Sequence, residues 1–199
     1  MKRNDFLKTA LLGAASISTF GFVTNTSDGP KGDCSTTNDI LGPFYRPEAP
    51  IRKDLSFKGL EGNKVMVKGR VFGDDCTTPL KNAQVEIWHC DTEGRYDNET
   101  SEFRLRGRQM TDGKGEYSFK TILPGKYLNG RQYRPAHIHF RVTADGHQEL
   151  ISQIYFQGDP HIEKDPWASH PSAELRVLPV SLEDTHGNLV VNFDIYLKA

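Results

Sequence analysis

Apolar residues recur at every second position in short runs, and turn-forming residues stop each run. This pattern constrains the fold more than any other feature of the chain. Val65, Val67 and Val71 share one face of the segment 64–72, and Ala83, Val85 and Ile87 repeat the alternation before Trp88 closes it. Tyr117, Phe119 and Thr121 follow Asp112-Gly113-Lys114-Gly115, and Ile138, Phe140 and Val142 end at Asp145-Gly146. Leu150, Ser152, Ile154 and Phe156 form another run. A short one spans 175–180, and Val191, Phe193, Ile195 and Leu197 follow His186-Gly187-Asn188. Side chains two apart on a strand share a face, so such runs are strands with one buried side. No long stretch has the period of a helix. The pattern predicts an all-β protein, a single β-sandwich domain over residues 34–199. Loops at 40–62, 91–112 and 157–174 are too long to be simple connections, and function tends to sit in such loops.

The first 33 residues read differently. Lys2, Arg3 and Lys8 precede an apolar, small-residue run over 10–23, and a polar stretch over 24–33 follows. Basic, then apolar, then small and polar is the layout of an export signal joined to a disordered linker. It predicts an exported, periplasmic or extracellular protein. Arg3-Asn4-Asp5-Phe6-Leu7-Lys8 resembles a twin-arginine signal that lacks its second arginine, so the export route stays open. The apolar run is too short for a membrane span, and none is expected in the mature chain. Cys34, Cys76 and Cys90 lack zinc-finger spacing. In an oxidising compartment Cys34 and Cys76, both in Thr-rich loop sequence, are the expected pair, and Cys90, at a strand end, is the expected buried thiol. Net charge is −1, from 25 basic and 26 acidic residues. That balance predicts no nucleic-acid partner.

His137-Ile138-His139-Phe140 carries the first chemical signal. On a strand, His137 and His139 point to one side and Ile138 and Phe140 to the other. Two imidazoles aimed at one point suggest a metal. The oxygen donors nearby in sequence are tyrosines: Tyr96 after Gly94-Arg95, and Tyr127 after Pro124-Gly125-Lys126. A free phenol is a poor ligand at neutral pH, but a highly charged cation stabilises the phenolate. Ferric ion suits that donor set: two phenolates and a hydroxide balance its charge, and two neutral imidazoles complete five-coordination. A zinc hydrolase or a facial-triad ferrous enzyme needs a third histidine or a carboxylate near the pair, and none stands at strand spacing.

Four blocks in order give the chain a family resemblance. They are Gly42-Pro43-Phe44-Tyr45; Val85-Glu86-Ile87-Trp88-His89-Cys90-Asp91 with Gly94-Arg95-Tyr96; Arg134-Pro135-Ala136-His137-Ile138-His139-Phe140; and Gln153-Ile154-Tyr155-Phe156 with Gly158-Asp159-Pro160. Over residues 42–160 the chain resembles the intradiol ring-cleavage dioxygenases, which include catechol 1,2- and protocatechuate 3,4-dioxygenases. The resemblance implies non-haem Fe(III) held by Tyr96, Tyr127, His137 and His139. It implies catalytic roles for Arg134 and Gln153, and a substrate pocket lined by Pro43 and Phe44. The partners it implies are a small aromatic diol and O2, which give a muconate-type diacid. Tyr133 competes with Tyr127 for the ligand role and is otherwise expected as a pocket wall or core aromatic. His89 is expected to pack rather than ligate. The alternative is a transthyretin-like binding module that keeps the strands and holds no iron. The identity of the catechol is open, and so is oligomeric state, a homo-oligomer included.

Overall fold

A computed structural model describes residues 34–182 and 188–199, with the backbone of two short paired strands, β1 (Thr24–Thr26) and β2 (Gly29–Lys31). Residues 1–23, 27–28 and 32–33, on which most of the export-signal expectation rests, lie outside the described residues, as do residues 183–187. Among the described residues no helix is long and apolar enough to cross a membrane.

The regular structure of the rest is almost entirely strand, with two short 3-10 turns. In chain order the strands are β3 (Lys64–Phe72), β4 (Gln84–Trp88), β5 (Arg106–Met110), β6 (Glu116–Ile122), β7 (Tyr127–Asn129), β8 (Gln132–Arg134), β9 (His137–Thr143), β10 (Leu150–Phe156), β11 (Val177–Leu178), β12 (Ser181–Leu182), β13 (Leu189–Asn192) and β14 (Ile195–Tyr196). One sheet has the order β11-β10-β9-β4-β5. In the other, β13 and β14 run parallel to β3 along one edge, and β6 pairs antiparallel along the opposite edge. β7 and β8 form a separate hairpin.

The period-two residues do what their spacing predicts. Val65, Val67, Val71, Phe119, Val191 and Ile195 of one sheet join Val85, Ile87, Ile138, Phe140, Val142 and Ile154 of the other in a single buried cluster. Burying each such side chain contributes about 1.5–3 kcal/mol. The first sheet therefore spends one face on the core, with Val85 and Ile87 of β4 and Ile138, Phe140, Val142 and Ile154 of β9 and β10, and turns the other face outward. Across β9 and its neighbours, Trp88 and Gln153 both stand opposite His139, and Tyr155 stands opposite His137. These residues are buried too, because a strap of residues 36–55 crosses them. The strap is tied down by the bonds Thr36 N to Tyr196 O (3.0 Å), Asp39 N to Ile151 O (2.8 Å), Arg52 N to Arg108 O (3.0 Å) and Leu55 N to Lys120 O (2.9 Å).

Three expectations change. The loop expected at 91–112 contains β5, which pairs with β4 over its whole length. Its sequence Arg-Gly-Arg-Gln-Met has no apolar alternation because its buried members, Arg106 and Gln109, are polar and bond the protein. The loop at 157–174 holds a 3-10 turn at Ile162–Lys164 and begins a second at Pro171–Arg176. The run at 175–180 is accordingly strand only over Val177–Leu178. The expected Cys34–Cys76 bridge is present, and Cys90 is a buried free thiol.

Candidate metal centre

His137 and His139 stand on the strap-covered face of β9, with ring centroids 4.9 Å apart. His137 Nδ1 lies 2.7 Å from the carbonyl oxygen of Pro135. A carbonyl only accepts, so Nδ1 carries the hydrogen and Nε2 carries the lone pair. That Nε2 is 3.1 Å from the hydroxyl oxygen of Tyr96. His139 is stacked on Trp88, with centroids 4.8 Å apart and planes 5° from parallel. Its Nδ1 is buried with no hydrogen-bond partner. Gly42 of the strap makes room for this ring: it sits at φ +73°, and a Cβ there would fall 3.0 Å from His139 Cε1. Burial, and after it the Arg134 guanidinium, lowers the His137 pKa to about 4. Burial and then His137 hold His139 well below its ordinary range. Both rings are neutral at physiological pH, the state a metal ligand needs.

The tyrosines arrive on two loops that lock together. Asp91 Oδ1 accepts the backbone N–H groups of Glu93 and Arg95, each at 2.9 Å, and so builds the turn that delivers Tyr96. Gly94 closes the turn at φ +82°, and a Cβ there would lie 2.5 Å from the carbonyl oxygen of Lys126. The Gly125 N–H donates to Asp91 O at 2.9 Å. Tyr127 is thereby set beside Tyr96, edge to face with centroids 5.9 Å apart. Phe44 of the strap stacks on Tyr96 at 4.3 Å and meets Tyr127 edge-on at 5.2 Å. Pro43 is exposed at the same turn. Burial, with the Cys90 thiol next, raises the Tyr96 pKa well above its ordinary value. Without a cation, then, its hydroxyl stays protonated and donates to His137. Tyr133 is neither core nor pocket wall. It pairs with Leu128 on the outer face of the β7–β8 hairpin, 40% exposed, with Lys126 Nζ 4.2 Å above its ring. Strand alternation explains the difference, since the inward residues of that hairpin are Tyr127 and Arg134.

Arg134 and Gln153 are buried next to the histidines and touch each other, Nη2 to Oε1 at 3.2 Å. The polar partner that a buried glutamine requires is there twice over, because Gln153 Nε2 also donates to the Ile40 carbonyl at 2.8 Å. Around them lies a network that periodicity gives no hint of. Asp165 pairs with Arg134 and Asp39 with Arg176, at 2.8 Å and 2.6 Å. The Tyr155 hydroxyl donates to Asp39 at 2.9 Å. Arg106 is buried as well and bonds Phe44 O (2.5 Å), Asp97 O (2.9 Å) and Asn98 Oδ1 (3.1 Å), which ties the strap to the Tyr96 loop. His89 packs, bonding Cys90 O at 2.7 Å and Thr121 Oγ1 at 2.8 Å.

The donor set fits a hard trivalent cation. A lone-pair nitrogen and a phenol oxygen already face each other, and an orphaned imidazole nitrogen, costly when left bare, lies on the adjacent ring. Among the described residues no three His, Cys, Asp or Glu side chains cluster as a metal site, so the oxygen donors beside the histidines are the phenols.

Comparison with known proteins gives the family. The family profile described as Dioxygenase matches residues 40–199. The chain is 33% identical to the chlorocatechol 1,2-dioxygenase of Rhodococcus opacus, over 82% of this chain and 72% of that one. It is 37% identical to catechol 1,2-dioxygenase 2 of Acinetobacter lwoffii over 65% of this chain, and spans only 54% of that enzyme's length. Among solved structures, the dioxygenase domain of a dioxygenase and carbohydrate-binding protein fusion from Streptomyces sp. SirexAA-E superposes with a TM-score of 0.72 at 31% identity, covering 83% of this chain and 99% of that one. A profile spanning the described domain, joined to relatives a third identical, settles the kinship: this chain belongs to the intradiol ring-cleavage dioxygenases, a family of non-haem iron enzymes.

Proposed function

We propose that the chain is an exported intradiol dioxygenase that uses Fe(III) and O2 to open a catechol-type ring between its two hydroxylated carbons, giving a muconate-type diacid. Its framework is a single β-sandwich whose loops close over the site. Tyr96, Tyr127, His137 and His139 hold the iron. Bound there, ferric ion supplies Lewis acidity and a template for the two substrate oxygens. The observation that carries this reading is the meeting of the Tyr96 hydroxyl with the His137 lone pair at 3.1 Å, beside the unpartnered nitrogen of His139.

The residues divide the work. Tyr127 has no hydrogen bond to the histidines among the described contacts and touches the cluster only through ring contacts with Phe44 and Tyr96. With iron bound, it would be the ligand least tied to the rest of the site, placed to accept the proton of one substrate hydroxyl and move aside. Arg134 holds a fixed positive charge where negative charge grows on the ring as oxygen attacks, and such preorganised charge costs no reorganisation during the reaction. Gln153 fixes Arg134 from β10. Phe44, with Pro43 at the rim, walls the substrate side and excludes water. A disulfide and a signal-like leader both favour an oxidising compartment.

Tyrosinate bound to ferric ion gives a visible charge-transfer band, so the purified protein should be red-brown with one iron per chain. Tyr96→Phe should weaken and shift the band, since only Tyr127 is left as a phenolate ligand, and His137→Phe should lose the iron, with activity falling by at least about 1,000-fold in each. Oxygen uptake with catechol, protocatechuate and hydroxyquinol then identifies the substrate. A colourless protein with full iron, or a folded protein that takes up no iron and consumes no oxygen with any diol, defeats the reading. The second outcome favours the iron-free binding module.

A further inference from the structure

We infer that Asp165 is a positioning residue for Arg134: its carboxylate grips one edge of the guanidinium and leaves a single nitrogen, Nη1, to face the substrate. The inference rests on the role proposed above for Arg134. A guanidinium carries five N–H donors on three nitrogens in a rigid plane. Nε donates to Asp165 Oδ2 at 2.8 Å. Nη2 is shared among Asp165 Oδ1 (3.3 Å), Gln153 Oε1 (3.2 Å) and Tyr155 Oη (3.3 Å). Among the described residues no acceptor meets Nη1. The Trp167 ring lies 4.4 Å below the guanidinium carbon and blocks rotation out of the plane.

Asp165 is itself immobilised. Its Oδ1 accepts the backbone N–H groups of Trp167 at 3.1 Å and Ala168 at 2.8 Å, and its backbone carbonyl accepts from Ser169 Oγ at 2.7 Å. The side chains of Arg134 and Asp165 are only 6% and 1% exposed. The same loop reaches back a second time: Asp159 Oδ2 accepts the Ala136 N–H at 2.8 Å, one residue before His137. The segment 157–169 is therefore a brace on the Arg-Pro-Ala-His segment. An ion pair kept only for stability would need none of this directionality. The bidentate grip instead fixes which edge of the guanidinium stays free, and displacements of about 1 Å at a reacting centre can cost on the order of 100-fold in rate.

The test is Asp165→Asn. Asparagine keeps the carbonyl that caps Trp167 and Ala168 but turns an NH2 group toward Nε. The expected result is unchanged iron per chain and an unchanged visible band, with kcat per bound iron down by about 10- to 100-fold and KM within about threefold. Added to Arg134→Gln, the change should cause no further loss, because the clamp acts only through that arginine. A readout independent of turnover is the 15N–1H signal of Arg134 Nε in the full chain loaded with diamagnetic Ga(III). It should exchange slowly in the wild type and rapidly in the variant. Should Asp165→Asn fold poorly, Asp165→Glu keeps the charge, moves the carboxylate by one methylene, and carries the same expectations. Kcat per iron within twofold of wild type, additive losses in the double variant, or a protected Nε signal in the variant overturns the clamp while leaving the role of Arg134 intact. Wild-type kcat in Arg134→Gln overturns that role, and the clamp with it.

Discussion

At the residue scale, the site depends on one position where a side chain cannot go. Gly42 holds a left-handed conformation and backs directly onto the His139 ring. Gly42→Ala adds strain of about 1–2 kcal/mol from the backbone and pushes the imidazole by a few tenths of an ångström. The expected outcome is a lower melting temperature together with at least a severalfold loss of iron affinity, measured by competition with a chelator. A variant that loses stability but keeps iron affinity shows that His139 does not depend on this contact. Residues of this kind were partly legible. His137 and His139 stood out by their two-residue spacing on a strand and Tyr96 and Tyr127 as the nearby oxygen donors, whereas Arg134 and Gln153 were legible only through the family resemblance; the structure brings these residues together. Asp39, Asp165, Arg106 and Trp88 did not stand out, because an aspartate in a loop or a tryptophan closing a strand looks the same whether it faces solvent or a histidine.

At the element scale, the strand ends of the first sheet carry polar groups that the fold buries, and one of them makes stability depend on pH. His89, at the end of β4, donates from Nδ1 to Cys90 O and accepts at Nε2 from Thr121. Burial lowers its pKa to about 4. The unfolded chain takes up the proton near pH 6.5 and the folded chain only near pH 4, so in between the unfolded state binds more protons. Stability is full above the unfolded value and is lost as pH falls through that window, by about 2 kcal/mol between pH 7 and pH 5. Urea unfolding of His89→Gln should show a shallower decline than the wild type over that interval. His137 and His139 add the same slope to both proteins and cancel in the comparison. Parallel declines would mean that His89 is not the group responsible. Periodicity located β3, β4, β6, β9 and β10 because each has one apolar face against the core. It missed β5 and the β7–β8 hairpin for a common reason: β5 buries arginine and glutamine, and the hairpin exposes Leu128 and Tyr133 while turning Tyr127 and Arg134 inward.

At the scale of the whole molecule, the strap joins stability to function, and its two anchors act differently. Cys34–Cys76 closes a loop with a sequence separation of 42 and fastens the strap's start to the turn after β3. Further along, the Asp39–Arg176 pair at 2.6 Å and the bond from Gln153 to Ile40 O at 2.8 Å hold the strap over the site from within. Closing a loop of that length restricts the unfolded chain by about 4 kcal/mol in the entropic account. It adds nothing to the contacts of Gly42 and Phe44, which the inner anchors fix. The double variant Cys34→Ser/Cys76→Ser should therefore lose about 2–4 kcal/mol in urea unfolding while kcat per bound iron stays within about twofold. Asp39→Asn should show no such division. It removes the charge partner of a buried arginine beside Gln153, so stability and kcat per iron should fall together. If breaking the disulfide lowers kcat per iron at an unchanged unfolding midpoint, the covalent anchor shapes the site, and the division between outer and inner anchors is wrong.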